Sequence, residues 1–276
     1  MDSGRRSGAL ATVFGGSGFV GRHVVRSLAR NGWRVRAAVR RPDLAGHLQP
    51  MGVVGQIHAV QANVRYPDSI AAAVEGADVV VNLVGVLAAT GKQSFDKVHV
   101  EGARAVARAA RAAGVKTFVH MSALGADPDS PSNYARSKAL GEKAVLEEFP
   151  DAIILRPSIV FGPEDEFFNR FAAMAGYAPV LPLIGGGKTR FQPVFVGDLA
   201  EAIRNACEGQ GTPGKVYEIG GPEIRSFREI LDCIQHWTER SRSYITVPFW
   251  LAKVQALLTW PLPNSLRPVT LDQVRI

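Results

Sequence analysis

A glycine-rich turn near the N-terminus constrains this chain more than any other feature of its sequence. Gly15, Gly18 and Gly21 are spaced three apart, between an apolar run over residues 9–14 and a segment with helical periodicity. A tight strand-to-helix turn needs glycine where φ is positive, and a pyrophosphate can approach it because no Cβ stands in the way. The helix N-terminus adds N–H donors and a positive dipole end, so the turn predicts a dinucleotide site, with a turn that binds nothing as the alternative. The candidate cofactor-binding residues of the turn are Gly15, Ser17, Gly18, Phe19, Val20 and Gly21.

Apolar and helical segments alternate along the first 160 residues. Residues 77–84 form a continuous apolar run, as expected for a strand that is buried on both faces of a sheet. The predicted strands are residues 9–14, 35–39, 55–62, 77–84, 117–122 and 152–155, and the predicted later helices are residues 95–113 and 132–148. This alternation predicts an α/β fold with a Rossmann-like doubly wound parallel sheet.

Beyond about residue 161 the alternation weakens, because proline and glycine become denser and the elements become shorter. We therefore predict a Rossmann dinucleotide-binding domain over residues 1–160 and a smaller, loop-rich C-terminal lobe over residues 161–276. Some of the lobe, at about residues 191–206, is expected to return and pack on the Rossmann domain. The lobe is expected to lie over the carboxyl edge of the sheet, where open α/β sheets bind their ligands.

The end of the second predicted strand indicates the type of dinucleotide. An NAD site carries an acidic residue there for the ribose hydroxyls, whereas an NADP site carries a basic one for the 2′-phosphate. Arg40 and Arg41 follow the strand, and no acid occurs before Asp43. This order favours NADP (NADPH), with two ordinary surface arginines as the alternative.

Two further strand ends add candidate cofactor contacts. Asn63 closes the third strand, where an adenine contact would fall, and Val84 and Gly85 follow the fourth strand, beside the expected position of a ribose. Asn82, at the same strand end, is equally well explained as a polar group satisfied within the protein.

Tyr134 and Lys138 are four residues apart in a predicted helix, so their side chains share one face. A nearby ammonium lowers the pKa of a phenol, which would make this tyrosine an acid or base for hydride transfer at a carbonyl. His99 and His120 lie beside apolar runs, where a lone histidine is more often a satisfied core residue than a catalytic one.

The glycine turn and the Tyr-x-x-x-Lys pair resemble those of the short-chain dehydrogenase/reductase superfamily, in its extended or atypical branch. In this resemblance Tyr134 and Lys138 are catalytic and cofactor-binding residues. Ser122 is the candidate for the superfamily's strand-end catalytic serine, and Pro157 belongs to the segment that passes the nicotinamide. The short loop after Ser122 leaves a plain strand-end serine as an equal alternative, and the pair could serve only to hold the nicotinamide ribose.

A closer resemblance is to the NAD(P)H-binding accessory subunit family of respiratory complex I, in its alphaproteobacterial type. The segment LRPSIVFGPEDEFFNRF, residues 155–171, is the most specific part of this resemblance, because its acidic and aromatic sequence has no generic packing explanation. The segments that carry the resemblance are VFGGSGFVGRHVV, HMSALGAD, YARSKALGEKAV, LRPSIVFGPEDEFFNRF and YEIGGPEIRSFREIL.

This resemblance implies a binding and assembly module that holds NADPH tightly, with little or no turnover of its own. Its expected partners are complex I subunits near the quinone region, on the cytoplasmic side of the bacterial inner membrane. An NADP-dependent reductase or epimerase that uses Tyr134 and Lys138 is the main alternative. A regulator that senses the NADP/NADPH ratio is a third.

Composition narrows the class of protein further. The net charge of +7 permits acidic partners, but no aromatic residues interleave with the basic ones, so nucleic acid is not expected. The two cysteines fit a reducing compartment, no metal site is expected, and the first residues resemble no secretory signal. Residues 249–260 (FWLAKVQALLTW) are predicted to be either core of the C-terminal lobe or a docking surface for a membrane protein or bilayer.

Overall fold

The computed structural model describes residues 8–89, 91 and 93–251. A π-helical segment, Asp96–Gly102, runs directly into the third α-helix. The α-helices are α1 (Phe19–Arg30), α2 (Pro67–Val74), α3 (Ala103–Ala112), α4 (Asn133–Glu148), α5 (Phe168–Tyr177), α6 (Val196–Cys207) and α7 (Phe227–Trp237). The strands are β1 (Leu10–Phe14), β2 (Arg34–Val39), β3 (Ile57–Gln61), β4 (Val79–Asn82), β5 (Thr117–Met121), β6 (Ile153–Pro157), β7 (Val160–Phe161), β8 (Val180–Ile184), β9 (Arg190–Phe191), β10 (Val194–Phe195), β11 (Val216–Ile219), β12 (Arg225–Ser226) and β13 (Ser243–Val247).

Seven strands form one parallel sheet in the order β3-β2-β1-β4-β5-β6-β11. The chain builds outward from β1 in one direction through β2 and β3, and then in the other from β4 onward. The carboxyl ends of β1 and β4 therefore flank the point where the strand order reverses, which is where doubly wound sheets bind their ligands. The predicted Rossmann-like doubly wound fold is confirmed.

The burial pattern explains why these residues form a sheet covered on both faces. All four residues of β4 are buried, as the continuous apolar run predicts. On one face, Phe14, Phe118 and Ile154 from the strands pack with Val106 of α3 and Val145 of α4. Fully burying an aliphatic or aromatic side chain of this size stabilises a fold by roughly 1.5–3 kcal/mol, so this layer fixes the strands that carry the site.

The described residues form two compact units. The first unit ends at Pro157 and resumes over Val196–Ile219, and the second comprises Ser158–Phe195 and the described residues from Gly220 onward. The segment that returns to the first unit thus extends to Ile219 instead of about residue 206, because β11 pairs with β6 as the edge strand of the sheet.

The second unit contains α5, α7 and three two-stranded sheets that pair β7 with β10, β9 with β12 and β8 with β13. Its core is largely aromatic. The Phe227 ring contacts three other rings, those of Phe167, Phe171 and Phe191, at centroid distances of 6.2, 5.3 and 6.4 Å. Leu183, Ile230 and Leu231 complete this core.

The acidic and aromatic residues of 163–171 do have a packing explanation, contrary to the expectation from the sequence. The buried Asp165 carboxylate accepts hydrogen bonds from the backbone N–H groups of Phe168 and Asn169, the first two residues of α5, at 2.5 and 3.4 Å. The Phe167 and Phe171 rings lie in the aromatic core. This segment therefore begins a helix and fills the interior of its own unit.

In the described residues no helix is long and apolar enough to cross a membrane. Of the predicted docking or core segment 249–260, only residues 249–251 are described. Phe249, Trp250 and Leu251 are exposed there, at 46%, 66% and 42% of their full surface. The rest of that segment lies outside the described residues.

Candidate functional site

The glycine turn joins β1 to α1 at the carboxyl edge of the sheet. Gly15 has a φ of +79°, and its N–H donates to the carbonyl of Ala38 in β2 at 3.0 Å. The Gly18 N–H donates to the Gly15 carbonyl at 3.0 Å, which closes the turn. A Cβ on Gly21 would lie 2.1 Å from the Gly15 oxygen, so no side chain can stand there. The backbone therefore favours glycine at position 15 and requires it at position 21, whereas a Cβ on Gly18 would lie 3.3 Å from the Gly15 oxygen.

The N-terminus of α1 is open towards a ligand. Gly18 is the N-cap residue, its backbone is extended, and no side chain in the described part of the chain caps it. No acidic residue lies in the first turn either. The first N–H groups of an α-helix have no partner within the helix, and they attract anions together with the helix dipole. Ser17, Phe19 and Val20 are half-buried around this end.

Arg40 and Arg41 follow β2 and differ in what they contact. The Arg41 guanidinium binds Asp43 through Nε and Nη2, the closest distance being 2.7 Å, and these hydrogen bonds, together with its positive charge, lower the pKa of that carboxyl. Arg40 is exposed and makes no ion pair with any residue that the structure describes. Of the two predicted 2′-phosphate ligands, Arg40 is therefore the one available to an anion.

The ends of β3 and β4 place the other predicted contacts at the same edge. The Asn63 side-chain oxygen accepts from the backbone N–H of Arg65 at 3.1 Å, so a ligand contact would fall to its amide nitrogen. Asn82 binds His120 at 3.3 Å and accepts from the Val84 N–H at 3.2 Å. Both ends of the Asn82 amide have protein partners, which favours its interpretation as a satisfied strand-end group.

Tyr134 and Lys138 lie on α4, which begins after Ser132. Lys138 is buried, and its Nζ donates to the Met121 carbonyl at 3.1 Å. A Cβ on Gly85 would lie 3.3 Å from that Nζ, so the chain after β4 passes directly beside Lys138. The structure thus brings together Gly85 and Lys138, two of the predicted cofactor contacts.

Burial controls the ionisation of this pair. It lowers the pKa of Lys138 to about 8, against the opposing effect of Glu142, and raises the pKa of Tyr134 to about 12. The expectation that the ammonium would lower the phenol pKa is wrong, because desolvation dominates and Nζ lies 6.0 Å from the centre of the Tyr134 ring. Tyr134 therefore keeps its proton at neutral pH.

Ser122 and Pro157 lie at the ends of β5 and β6. The Pro157 carbonyl accepts from the Leu124 N–H at 2.9 Å, which joins the chain after β5 to the end of β6. Ser122 is only 3% exposed, and its Oγ has no hydrogen-bond partner among the described residues. An unsatisfied buried hydroxyl costs roughly 1–3 kcal/mol, and a polar ligand atom at this edge of the sheet could satisfy the Ser122 hydroxyl.

A family model described as the NAD dependent epimerase/dehydratase family matches residues 11–220. This chain belongs to the NAD dependent epimerase/dehydratase family. A mitochondrial protein of Arabidopsis thaliana, NADH dehydrogenase (ubiquinone) 1 alpha subcomplex subunit 9, is 38% identical over 279 residues, which cover 97% of this chain and 69% of that protein. A ceramide reductase of Caulobacter vibrioides is 35% identical over 198 residues, which cover 72% of this chain and 61% of that protein.

Among solved structures, a dTDP-glucose 4,6-dehydratase from Streptomyces venezuelae with NAD bound superimposes with a TM-score of 0.75. It is 23% identical, and the match covers 87% of this chain and 84% of that one, so it supports the fold alone. The family match and the Arabidopsis thaliana relative confirm the resemblance to the complex I accessory subunit family.

The residues of this family member fit a nicotinamide dinucleotide. The uncapped end of α1 offers donors for a pyrophosphate, and the backbone at Gly21 leaves no room for a side chain in the turn. The orphaned Ser122 hydroxyl is available for a polar group of the ligand. The evidence for a ligand contact is weaker at Asn63, Arg41 and Pro157. The hydrogen bonds that these three residues make are to neighbouring protein groups.

Two features of the site were not predicted as parts of it. His99 is buried, with its Nε2 3.0 Å from the Val86 nitrogen and its Nδ1 2.8 Å from Ser137 Oγ. Arg156 binds Glu142 through two hydrogen bonds of 2.8 and 2.7 Å, which ties β6 to α4. No local sequence pattern could have predicted the hydrogen bonds of His99, because its partner Ser137 lies 38 residues away in the chain.

Proposed function

We propose that this chain is an accessory subunit of respiratory complex I (NADH:ubiquinone oxidoreductase) that holds NADPH as a structural component. The observation that carries the proposal is the 38% identity to the complex I subunit of Arabidopsis thaliana across 97% of this chain. The open end of α1 and the orphaned Ser122 support a dinucleotide-holding role. The chain's contribution to the complex is then structural and assembly-related.

In this proposal, different residues of the chain bind different parts of NADPH. Backbone N–H groups of residues 17–20 and the dipole of α1 would bind the pyrophosphate, and the Arg40 guanidinium would pair with the 2′-phosphate. Asn63 would contact the adenine. Lys138 and Tyr134 would donate to the hydroxyls of the nicotinamide ribose beside Val84 and Gly85. The nicotinamide would lie between Ser122 and Pro157.

Arg40 gives the sharpest test of the preference for NADPH over NADH. A charged hydrogen-bonded pair contributes roughly 1.5–3 kcal/mol, so Arg40→Ala should weaken NADPH binding by roughly 10- to 150-fold and leave NADH binding almost unchanged. Arg41→Ala is the matched control, because Arg41 already binds Asp43 and should affect NADPH little. Titration of cofactor fluorescence measures both, and an equal loss of NADH and NADPH affinity in Arg40→Ala would contradict the assignment.

Retention of the cofactor tests the structural role. The chain is purified gently and denatured, and the released ligand is identified by mass spectrometry. NADPH at nearly one equivalent, surviving dialysis, supports a held component. A cofactor that exchanges within seconds supports an enzyme that turns over.

Assembly is tested in the source cell. We place the chain peripherally on the cytoplasmic side of the bacterial inner membrane, near the quinone region of complex I. The exposed Phe249, Trp250 and Leu251 begin the segment 249–260, which would form part of the docking surface or contact the bilayer. Complex I that is solubilised in mild detergent and resolved on a native gel should contain this chain, and its absence would refute the proposal.

A second function, an NADP-dependent reductase or epimerase, is favoured by the Ser122 hydroxyl and by the similarity to a ceramide reductase. Bound NADPH would supply a hydride. Because burial raises the pKa of Tyr134 to about 12, its phenol stays protonated and could donate that proton to a carbonyl oxygen. Lys138 would orient the ribose, and Ser122 would hold the carbonyl oxygen.

Tyr134→Phe separates the two functions. The variant lacks the proton donor but keeps the ring that packs against Phe95 and His99. If the chain is a reductase, NADPH-dependent reduction of its carbonyl substrate should be lost while NADPH remains bound. If the unaltered chain oxidises no NADPH with any of a broad set of carbonyl substrates, the reductase function is refuted.

A further inference from the structure

His99 joins two parts of the first unit that are distant in sequence. The Val86 backbone N–H donates to His99 Nε2 at 3.0 Å, so the ring proton must be on Nδ1. That Nδ1 donates to Ser137 Oγ at 2.8 Å, and Ser137 Oγ donates to the Tyr134 carbonyl at 2.8 Å. A chain of three hydrogen bonds thus connects the segment after β4 to the first turn of α4.

The surroundings of His99 leave its ring one orientation. The Phe95 ring stacks on it with a centroid distance of 5.5 Å, and the Tyr134 ring meets it edge-on at 5.6 Å. Its backbone is held as well, since a Cβ on Gly141 of α4 would lie 2.2 Å from the His99 carbonyl oxygen. His99 also lies within the π-helical segment, a distortion that is frequent at functional sites.

His99 stays neutral at physiological pH. It is 2% exposed, and burial together with the nearby Lys138 charge lowers its pKa to about 3. A neutral ring with one donor and one acceptor is what the two observed bonds require. The ring therefore acts here as a fixed connector.

We propose that His99 is a positioning residue that locks residues 84–86 against α4 and thereby holds Gly85 in place beside Lys138. The consequence for the cofactor rests on the proposed function, in which Val84 and Gly85 border the nicotinamide ribose. A loop held rigidly before binding loses little conformational entropy when the ligand arrives, and it releases the ligand slowly. Long retention of NADPH would then depend on His99, although His99 itself touches no ligand.

The experiment compares His99→Phe, His99→Gln and Ser137→Ala with the unaltered chain. Hydrogen exchange followed by mass spectrometry reports the Val86 amide in the cofactor-free protein, and stopped-flow fluorescence reports NADPH dissociation. Loss of one hydrogen bond of about 1.4 kcal/mol corresponds to a tenfold change. We expect both rates to rise about tenfold in His99→Phe, less in Ser137→Ala, and to recover partly in His99→Gln, whose amide oxygen can accept from Val86.

Exchange in β4 and β5 is the internal control, because a general loss of stability would accelerate it as well. Should His99→Phe fail to fold, the other two variants still give a graded series. Unchanged Val86 exchange in every folded variant would overturn the lock, and faster exchange with unchanged NADPH release would overturn the positioning role. If the unaltered chain binds no NADPH, the proposed function fails, while the Val86 exchange still decides whether His99 locks the loop.

Discussion

Two segments that look equally distinctive in the sequence, residues 15–21 and 163–171, are used in opposite ways. In the first, glycines bring the backbone into a tight turn and leave the end of α1 without a side-chain cap. In the second, the Asp165 carboxylate accepts hydrogen bonds from the first two N–H groups of α5, and the phenylalanines fill the core of their own unit. One segment keeps polar groups available for a ligand, whereas the other satisfies its polar groups internally.

The difference shows how to separate a binding motif from a folding motif. Only the hydrogen-bond partners distinguish them, since a binding site retains donors or acceptors that the protein does not use. Substitutions in the two units should therefore affect stability and cofactor retention differently.

The largest effect on stability is expected from Phe227→Ala in the second unit. Phe227 is 6% exposed and contacts three other phenylalanine rings, so its truncation should lower the free energy of unfolding by about 3–5 kcal/mol. Trp237→Ala, at a residue 79% exposed on the same helix, is the control and should change stability little. Urea unfolding measures both. NADPH retention should persist in folded Phe227→Ala, because every predicted cofactor contact lies in the first unit.

Gly21→Ala should have the next largest effect on stability, and it should reduce cofactor retention as well. The new methyl group would lie 2.1 Å from the Gly15 oxygen, which forces the turn open and costs about 1–3 kcal/mol. Bound dinucleotide should be lost altogether, as measured by mass spectrometry of the released ligand. Gly46→Ala, where nothing lies within 4 Å, should retain the ligand. Full retention by Gly21→Ala would show that the turn is not the phosphate site.

Asp165→Ala removes the carboxylate that accepts hydrogen bonds from the first N–H groups of α5 and should lower the free energy of unfolding by about 1–2 kcal/mol. Asp165→Asn keeps one side-chain oxygen for the Phe168 N–H and should recover part of the loss. Thermal unfolding followed by circular dichroism compares the two variants. If Asp165→Ala instead reduced NADPH retention at unchanged stability, the segment would belong to the binding motifs after all.

The sequence predicted the parts of the site that are built locally. The Gly21 constraint acts on Gly15 only six residues away, and the buried strand β4 follows directly from a run of apolar residues. The returning strand β11 was missed beyond about residue 206, because a short edge strand carries little periodicity of its own.

Parts of the site that depend on distant partners could not be predicted. Lys138 binds the carbonyl of Met121, 17 residues earlier, and His99 binds Ser137, 38 residues later. The direction of the Tyr134 pKa shift could not be predicted from the sequence either, because it depends on how deeply the phenol is buried. Spacing within a helix places two side chains on one face, but it contains no information about their desolvation.

Ser122→Ala should have the smallest effect on stability, and with the opposite sign. Its hydroxyl is buried without a partner among the described residues, so its removal should stabilise the cofactor-free chain by up to about 1 kcal/mol. With NADPH bound, the gain should shrink or reverse, because the variant loses a bond to the ligand. Melting temperatures measured with and without saturating NADPH give this difference directly. A loss of stability without cofactor would mean that the hydroxyl already has a partner, and the contrast with Asp165 would then disappear.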